Sequence, residues 1–226
     1  MPICFLSIAL RLDMNKLLFA IAMLFPLVSC AENDSTFYDG IHYTEINQVS
    51  PLTNTGKIEV VEVFWYRCPH CYNFEPKIEK WLETKPDDVE FVQVPGVLAR
   101  NWTALAKVYY AAQALGVEEK MHPIIFRHIH KLHNKINTVS QAEPLFVANG
   151  VSVDDFRKKI RSFSVNTKVG QAKALGRKYG IKGVPTVIVD GKYRIDSGDI
   201  GSFDKVIDIT NFLIKQIRQE RAEKSK

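Results

Sequence analysis

Hydrophobic and polar positions follow two different periods along this chain, and the changes of period mark its elements. From Lys57 to Tyr66 the sequence is almost continuously apolar, β-branched and aromatic, which predicts a central strand covered on both faces. Glu62 interrupts it, on the same side as Val60 and Phe64 by alternation. Two readings of Glu62 stand at this level: an exposed residue near a sheet edge, or an acid set into an apolar face, with a pKa raised by burial. From Pro69 to Thr84 the period turns helical, with Phe74, Ile78, Trp81 and Leu82 on the face expected to pack on the sheet. Pro69 suits a first helical turn, where its missing N–H costs nothing, whereas Pro76 falls inside the helix and is expected to kink it near Tyr72. Ile41 to Ile46 predicts a short edge strand and Pro51 to Gly56 a turn-rich connection. Val89, Phe91 and Gln93 mark a second strand ending at Pro95-Gly96.

From Leu98 to Lys168 only helical patterns occur. Trp102, Leu105, Ala106, Tyr109, Ala112 and Leu115 lead to Gly116 as a C-cap, and Ile124, Ile125, Ile129 and Leu132 suggest a second helix. Ser140 with Glu143 reads as the capping box of a third, and Ser152 with Asp155 starts a fourth. The α/β pattern then resumes with a helix through Val169, Ala172 and Leu175 to Gly180 and a strand from Thr186 to Val189. The hairpin signal Asp190-Gly191, a strand from Lys192 to Ile195 and a terminal helix through Phe203, Val206, Leu213 and Ile217 follow. The fold class is α/β with an inserted all-helical domain: 98–168 is the insertion, and 37–97 with 169–220 is the domain that it interrupts.

The first 30 residues read as an address. Arg11 and Lys16 precede the apolar run Leu17 to Phe25, followed by Pro26-Leu27-Val28-Ser29-Cys30-Ala31, the layout of a secretory signal too short to span a membrane. Met1 and Met14 are both possible starts, and either gives export. Leu27-Val28-Ser29-Cys30 resembles a bacterial lipoprotein signal, in which Cys30 is lipidated and opens the mature chain; cleavage after Ala31 would discard it instead. Export out of the cytosol is therefore expected, with a membrane anchor if Cys30 is acylated.

A length of 226 residues and a net charge of +5 scattered along the chain fit a globular protein with a sizeable core, and no basic stripe points to nucleic acid. Cysteine usage says more. Of four cysteines, Cys4 and Cys30 lie in or at the edge of the leader, leaving Cys68 and Cys71 as the thiols of the folded part. One adjacent pair is no structural framework, and the loop it closes is too short to restrain the unfolded chain much. Zinc needs four ligands, and the histidines at 122, 128, 130 and 133 lie far along the chain from the cysteines. No metal and no cofactor are expected.

The chemistry follows from where the pair sits. At a helix start, Cys68 faces unpaired backbone N–H groups and the positive end of the helix dipole, both of which stabilise a thiolate. Cys68 is thus the expected nucleophile and Cys71, one turn further in, the resolving thiol, with His70 between them able to add stabilisation when protonated. A stabilised thiolate is a good leaving group, so the oxidised pair should be readily attacked and act as an oxidant. Gly183-Val184-Pro185-Thr186 forms a second constellation, a proline opening a strand, whose peptide isomer the residues alone leave open.

Cys68-Pro69-His70-Cys71 after an apolar strand, Pro76 five residues past the second cysteine, and Val184-Pro185 before a late strand resemble the thioredoxin fold, in which that proline is cis beside the dithiol. Cys-Pro-His-Cys-Tyr with Phe74-Glu75 following, Glu62 six residues before the first cysteine, and the helical insertion are similar to the DsbA family of periplasmic protein disulfide oxidases. The resemblance implies that Cys68 forms a mixed disulfide, that Cys71 completes exchange, and that Val184 and Pro185 present backbone to the substrate chain. Glu62 and Glu75 would match the family's acids near the site. It further implies newly exported or unfolded proteins as substrates, reoxidation by a quinone-linked membrane partner resembling DsbB, and a monomer. An isomerase or reductase on the same fold, and a peptide-binding chaperone-like module, are the competing functions. Arg67 matches no family feature and puts a charge beside the site.

Overall fold

The computed structural model describes residues 36–47, 50–53 and 55–225. The leader, with the alternative starts and the lipidation candidate Cys30, lies outside them. Five strands form one sheet in the order β1-β5-β4-β2-β3, where β1 is Thr44–Glu45, β2 Ile58–Phe64, β3 Val89–Pro95, β4 Thr186–Val189 and β5 Tyr193–Asp196. β2 and β3 run parallel, and the remaining pairings are antiparallel. β2 is central and buried at every position, as its unbroken apolar run requires. Two acids lie in it. Glu59 is satisfied locally, its carboxylate accepting from the backbone N–H groups of Leu52 and Thr53 at 2.8–3.0 Å. Glu62 has no such partners.

Helix α1, Pro69–Thr84, follows β2 and continues through Pro76. It buries Phe74, Ile78 and Trp81 against the sheet, joined by α8, Phe203–Lys224, whose Val206, Ile209, Leu213 and Ile217 enter the same cluster. Leu82, expected on that face, is exposed, because one residue past Trp81 the helix has turned by about 100°. Ile58 and Val60 point into this cluster, while Val61 and Val63 point into the second one on the opposite side of the sheet.

The second cluster is built by the helices between β3 and β4. A 3₁₀ turn at Arg100–Trp102 leads to α2 at Thr103–Ala114, α3 at Glu118–His130, α4 at Val139–Ala148, α5 at Val153–Ile160 and α6 at Phe163–Lys178. Helix α6 runs continuously through position 168, where the sequence pattern placed the end of the insertion. α3 stops before Leu132, which is exposed, and His133 adopts a left-handed φ of 52° just beyond. The capping box of α4 is formed by Thr138 and Gln141 rather than by Ser140 and Glu143. Ser152 caps α5 as its spacing suggests, taking the N–H of Asp155 and donating to its carboxylate. At the β4–β5 hairpin Asp190 and Gly191 have φ of 53° and 64°, the pair of positive values that a type I′ turn demands. The short helix α7, Ser197–Ile200, joins β5 to α8.

Candidate active site

Strand β2 delivers Trp65-Tyr66-Arg67 and then Cys68 to the first turn of α1. Cys68 occupies the N-cap with extended backbone, φ −80° and ψ 116°, and Pro69 takes the first helical position. Both thiols are free; Cys68 is 8% exposed and Cys71 fully buried. Their acidities are driven apart. The Cys68 thiol falls from 9.0 to about 6, chiefly through a hydrogen bond from Cys71, with help from the backbone N–H groups of residues 71 and 70 and from His70, against the opposing effect of its own burial. Cys71 is pushed well above its ordinary value by burial and by its position beside Cys68. One sulfur is thus a stable thiolate near neutral pH and the other a protonated reserve.

Across from the helix start, the Val184–Pro185 peptide bond is cis and the Cys68 thiol donates to the Val184 carbonyl at 3.3 Å. Thr186 anchors the turn by donating to the Gly183 carbonyl at 2.9 Å. His70, Val184, Pro185, Gly198 and Phe203 line a cavity of about 310 Å³ beside the dithiol, large enough for part of an extended peptide. His70, Val184 and Pro185 therefore meet at one place, although 115 residues of sequence separate His70 from Pro185.

Behind the cysteines lies a buried polar group that sequence analysis located only in part. Glu62 is fully buried, as the second of its two readings has it. Burial raises its pKa, and the nearby Glu75 carboxylate raises it further. Gln93, directly opposite Glu62 in the β2–β3 register, donates to one of its oxygens at 2.8 Å, while the other oxygen has no protein partner. Glu75 of α1 is raised in turn by burial and by Glu79. His122, one of the four histidines set apart from the cysteines along the chain, is buried here: Nδ1 pairs with the Tyr66 hydroxyl at 2.9 Å and Nε2 lies 3.3 Å from the Glu75 carboxylate. Burial lowers its pKa, which keeps the imidazole neutral near pH 7. The missed signal was positional, since Met121, His122, Ile125 and Phe126 form the buried stripe of α3 and a histidine in an apolar stripe is not a surface residue. His130 similarly holds the Tyr66 carbonyl at 2.8 Å and stacks on Tyr72. Among the described residues no cluster of three or more metal-ligating side chains occurs.

A four-stranded core sheet with an added edge, a dithiol at a helix start and a cis-proline loop against it define a thiol:disulfide oxidoreductase of the thioredoxin fold. The chain belongs to the DsbA family. The model of the DSBA-like thioredoxin domain matches residues 88–208. The thiol:disulfide interchange protein DsbA of Pseudomonas syringae pv. tomato is 40% identical over 79% of this chain and 84% of its own length, and that of Pseudomonas aeruginosa 35% identical over 90% and 97%. The crystal structure of Pseudomonas aeruginosa DsbA superimposes with a TM-score of 0.77 at 37% identity, covering 84% of this chain and 97% of that one. The oxidoreductase DsbA from Xylella fastidiosa gives 0.76 at 30%, covering 81% and 98%.

Proposed function

We propose that this enzyme works in the periplasm as a disulfide donor to newly exported proteins. The observation that carries the reading is the asymmetry of the pair, a Cys68 thiolate stabilised at a helix start beside a buried, protonated Cys71. Stabilising one sulfur of the reduced form makes the disulfide the less favoured state and hence an oxidant. A substrate thiolate attacks Cys68 Sγ in the disulfide, the Cys68–Cys71 bond breaks, and Cys71 leaves with the electron pair and takes up a proton. A second substrate thiolate then attacks the substrate sulfur of the mixed disulfide and releases Cys68 as a thiolate. Two electrons pass from the substrate thiols to the enzyme, and a quinone-linked membrane partner resembling DsbB takes them away.

Val184 and Pro185 hold the substrate backbone along the cavity beside His70, and Glu62 exchanges a proton with Cys71. Monomeric action suits a chain that carries both thiols of its dithiol itself. Export is read from the leader alone, and lipid attachment from Leu27-Val28-Ser29-Cys30 alone; the mass of the mature N-terminus decides between an acylated Cys30 and a chain starting at Glu32. Equilibration with glutathione tests the central reading: the enzyme should be far more oxidising than a cytosolic reductant at about −270 mV, and a potential that low would replace donation with reduction.

A further inference from the structure

Arg67 precedes Cys68 by one residue, and its side chain is exposed, as are Pro69 and His70 just after the cysteine. Its guanidinium lies 5.7 Å from the centre of the Trp65 ring. Trp65 is itself fixed, stacked on Trp102 with ring centres 4.1 Å apart and planes within 2°. Gly96 closes the back of this stack, for a Cβ there would lie 3.3 Å from Trp102. The arginine is therefore held by the π face beneath it. It is not neutralised: none of the ion pairs among the described residues includes it. The thiolate itself is held chiefly by Cys71, two backbone N–H groups and His70. Arg100, also exposed, opens the turn that carries Trp102.

An exposed guanidinium fork that is positioned and unpaired can receive a carboxylate. We propose that Arg67 is a specificity-determining residue that receives an acidic side chain flanking the substrate cysteine, so that acidic cysteine-containing segments are oxidised in preference to basic ones. The inference rests on the disulfide-donor reading, because the substrate sulfur must come to Cys68 Sγ, and its neighbouring residues then pass the side chain one position away. It adds no redox step to those already described. The net charge of +5 acts in the same direction by drawing acidic chains toward the surface.

The test uses the oxidised full-length enzyme and three dithiol peptides that are identical except for aspartate, serine or lysine beside the attacking cysteine. At low salt the aspartate peptide should be oxidised roughly two- to fivefold faster than the lysine peptide, the range that an exposed ion pair supports. That ratio should fall toward one in Arg67→Gln, invert in Arg67→Glu, shrink as salt is added, and stay at the wild-type value in Lys158→Gln on α5. Equal rates for the aspartate and lysine peptides in the wild type, or a preference that survives Arg67→Gln, would overturn the proposal. Failure to oxidise even the serine peptide would instead remove the disulfide-donor reading, and the proposal with it.

Discussion

The Cys68 thiol donates to the carbonyl of Val184 at 3.3 Å, joining two segments 116 residues apart. Only the protonated sulfur can make that bond, so Val184 opposes ionisation while Cys71 and the backbone N–H groups of the helix start favour it. The balance falls to the thiolate, with a midpoint of about 6, and the hydrogen bond from Cys71 is its largest cause. Replacing Cys71 by Ala should therefore move the Cys68 midpoint up toward 9, further than His70→Ala does, while Cys71→Ser keeps a donor and moves it less. Thiolate absorbance against pH on the reduced variants measures all three. A larger shift for His70→Ala than for Cys71→Ala would mean that charge, and not the internal hydrogen bond, controls the site.

Ionisation of Cys68 near pH 6 sets how the redox potential depends on pH. Below that midpoint reduction takes up two protons and the potential should fall by about 59 mV per pH unit; above it only Cys71 is protonated and the slope should halve to about 30 mV. For folding, the depressed pKa of Cys68 means that the stability of the reduced protein rises with pH between about 6 and the ordinary thiol value of 9.0, and is lost as pH falls through 6. Potentials measured against glutathione from pH 5 to 8 should show the break. A single slope over that range would place the thiolate elsewhere.

Glu62 carries the opposite sign. Its folded pKa lies above the ordinary 4.5 because burial disfavours the carboxylate and Glu75 repels it, so the folded state loses stability as pH climbs above about 4.5, until the buried acid ionises. One of its oxygens also lacks a protein partner. Glu62→Gln removes the ionisation, keeps the shape, and should stabilise the protein near pH 7 by about 1–2 kcal/mol, with little effect near pH 4. If Glu62 exchanges protons with Cys71, the same variant should slow exchange and flatten its pH profile. Denaturant melts at pH 4 and 7 read the stability, and stopped-flow exchange reads the rate.

Most of the scaffold was legible because its signals are local. The apolar run of β2, the helix start at Pro69, the Asp190-Gly191 turn and the cap at Ser152 each need only a few neighbouring residues to be recognised. The dithiol was legible for the same reason. What stayed hidden depends on distant partners: whether Glu62 was buried rested on Gln93 and Glu75 arriving from other elements, and the burial of His122 on which face of α3 meets Tyr66. The fate of Leu82 and Leu132 turned on single steps of helix rotation and termination that a periodic pattern does not resolve.

The capping box at α4 shows the cost of a two-residue ambiguity. Ser140-x-x-Glu143 and Thr138-x-x-Gln141 both fit the pattern, and the structure uses the second, with Gln141 N–H donating to the Thr138 hydroxyl at 3.3 Å and the Gln141 side chain accepting from Thr138 N–H at 3.1 Å. Thr138→Ala should cost about 1 kcal/mol, whereas Ser140→Ala should leave stability within about 0.5 kcal/mol of wild type. Chemical denaturation of the two variants separates them.

The buried pair of Tyr66 and His122 ties the dithiol loop to the helical insertion. Tyr66 ends the run from β2 two residues before Cys68, and its hydroxyl bonds to His122 Nδ1 at 2.9 Å with both residues shielded from water. Phe64 and Phe126 pack edge-on against the same imidazole, so removing one partner leaves the other polar group with no solvent to turn to. Tyr66→Phe should cost about 1 kcal/mol, His122→Leu about 1–3 kcal/mol, and the double variant less than their sum, because the orphaned partner is then gone as well. A coupling energy of about 1 kcal/mol is expected from the cycle. His122→Leu should also loosen the hold on Glu75, which a change in the pH profile of thiol exchange would register beyond the loss of stability. Strict additivity of the two substitutions would show that the hydroxyl and the imidazole stabilise the fold independently.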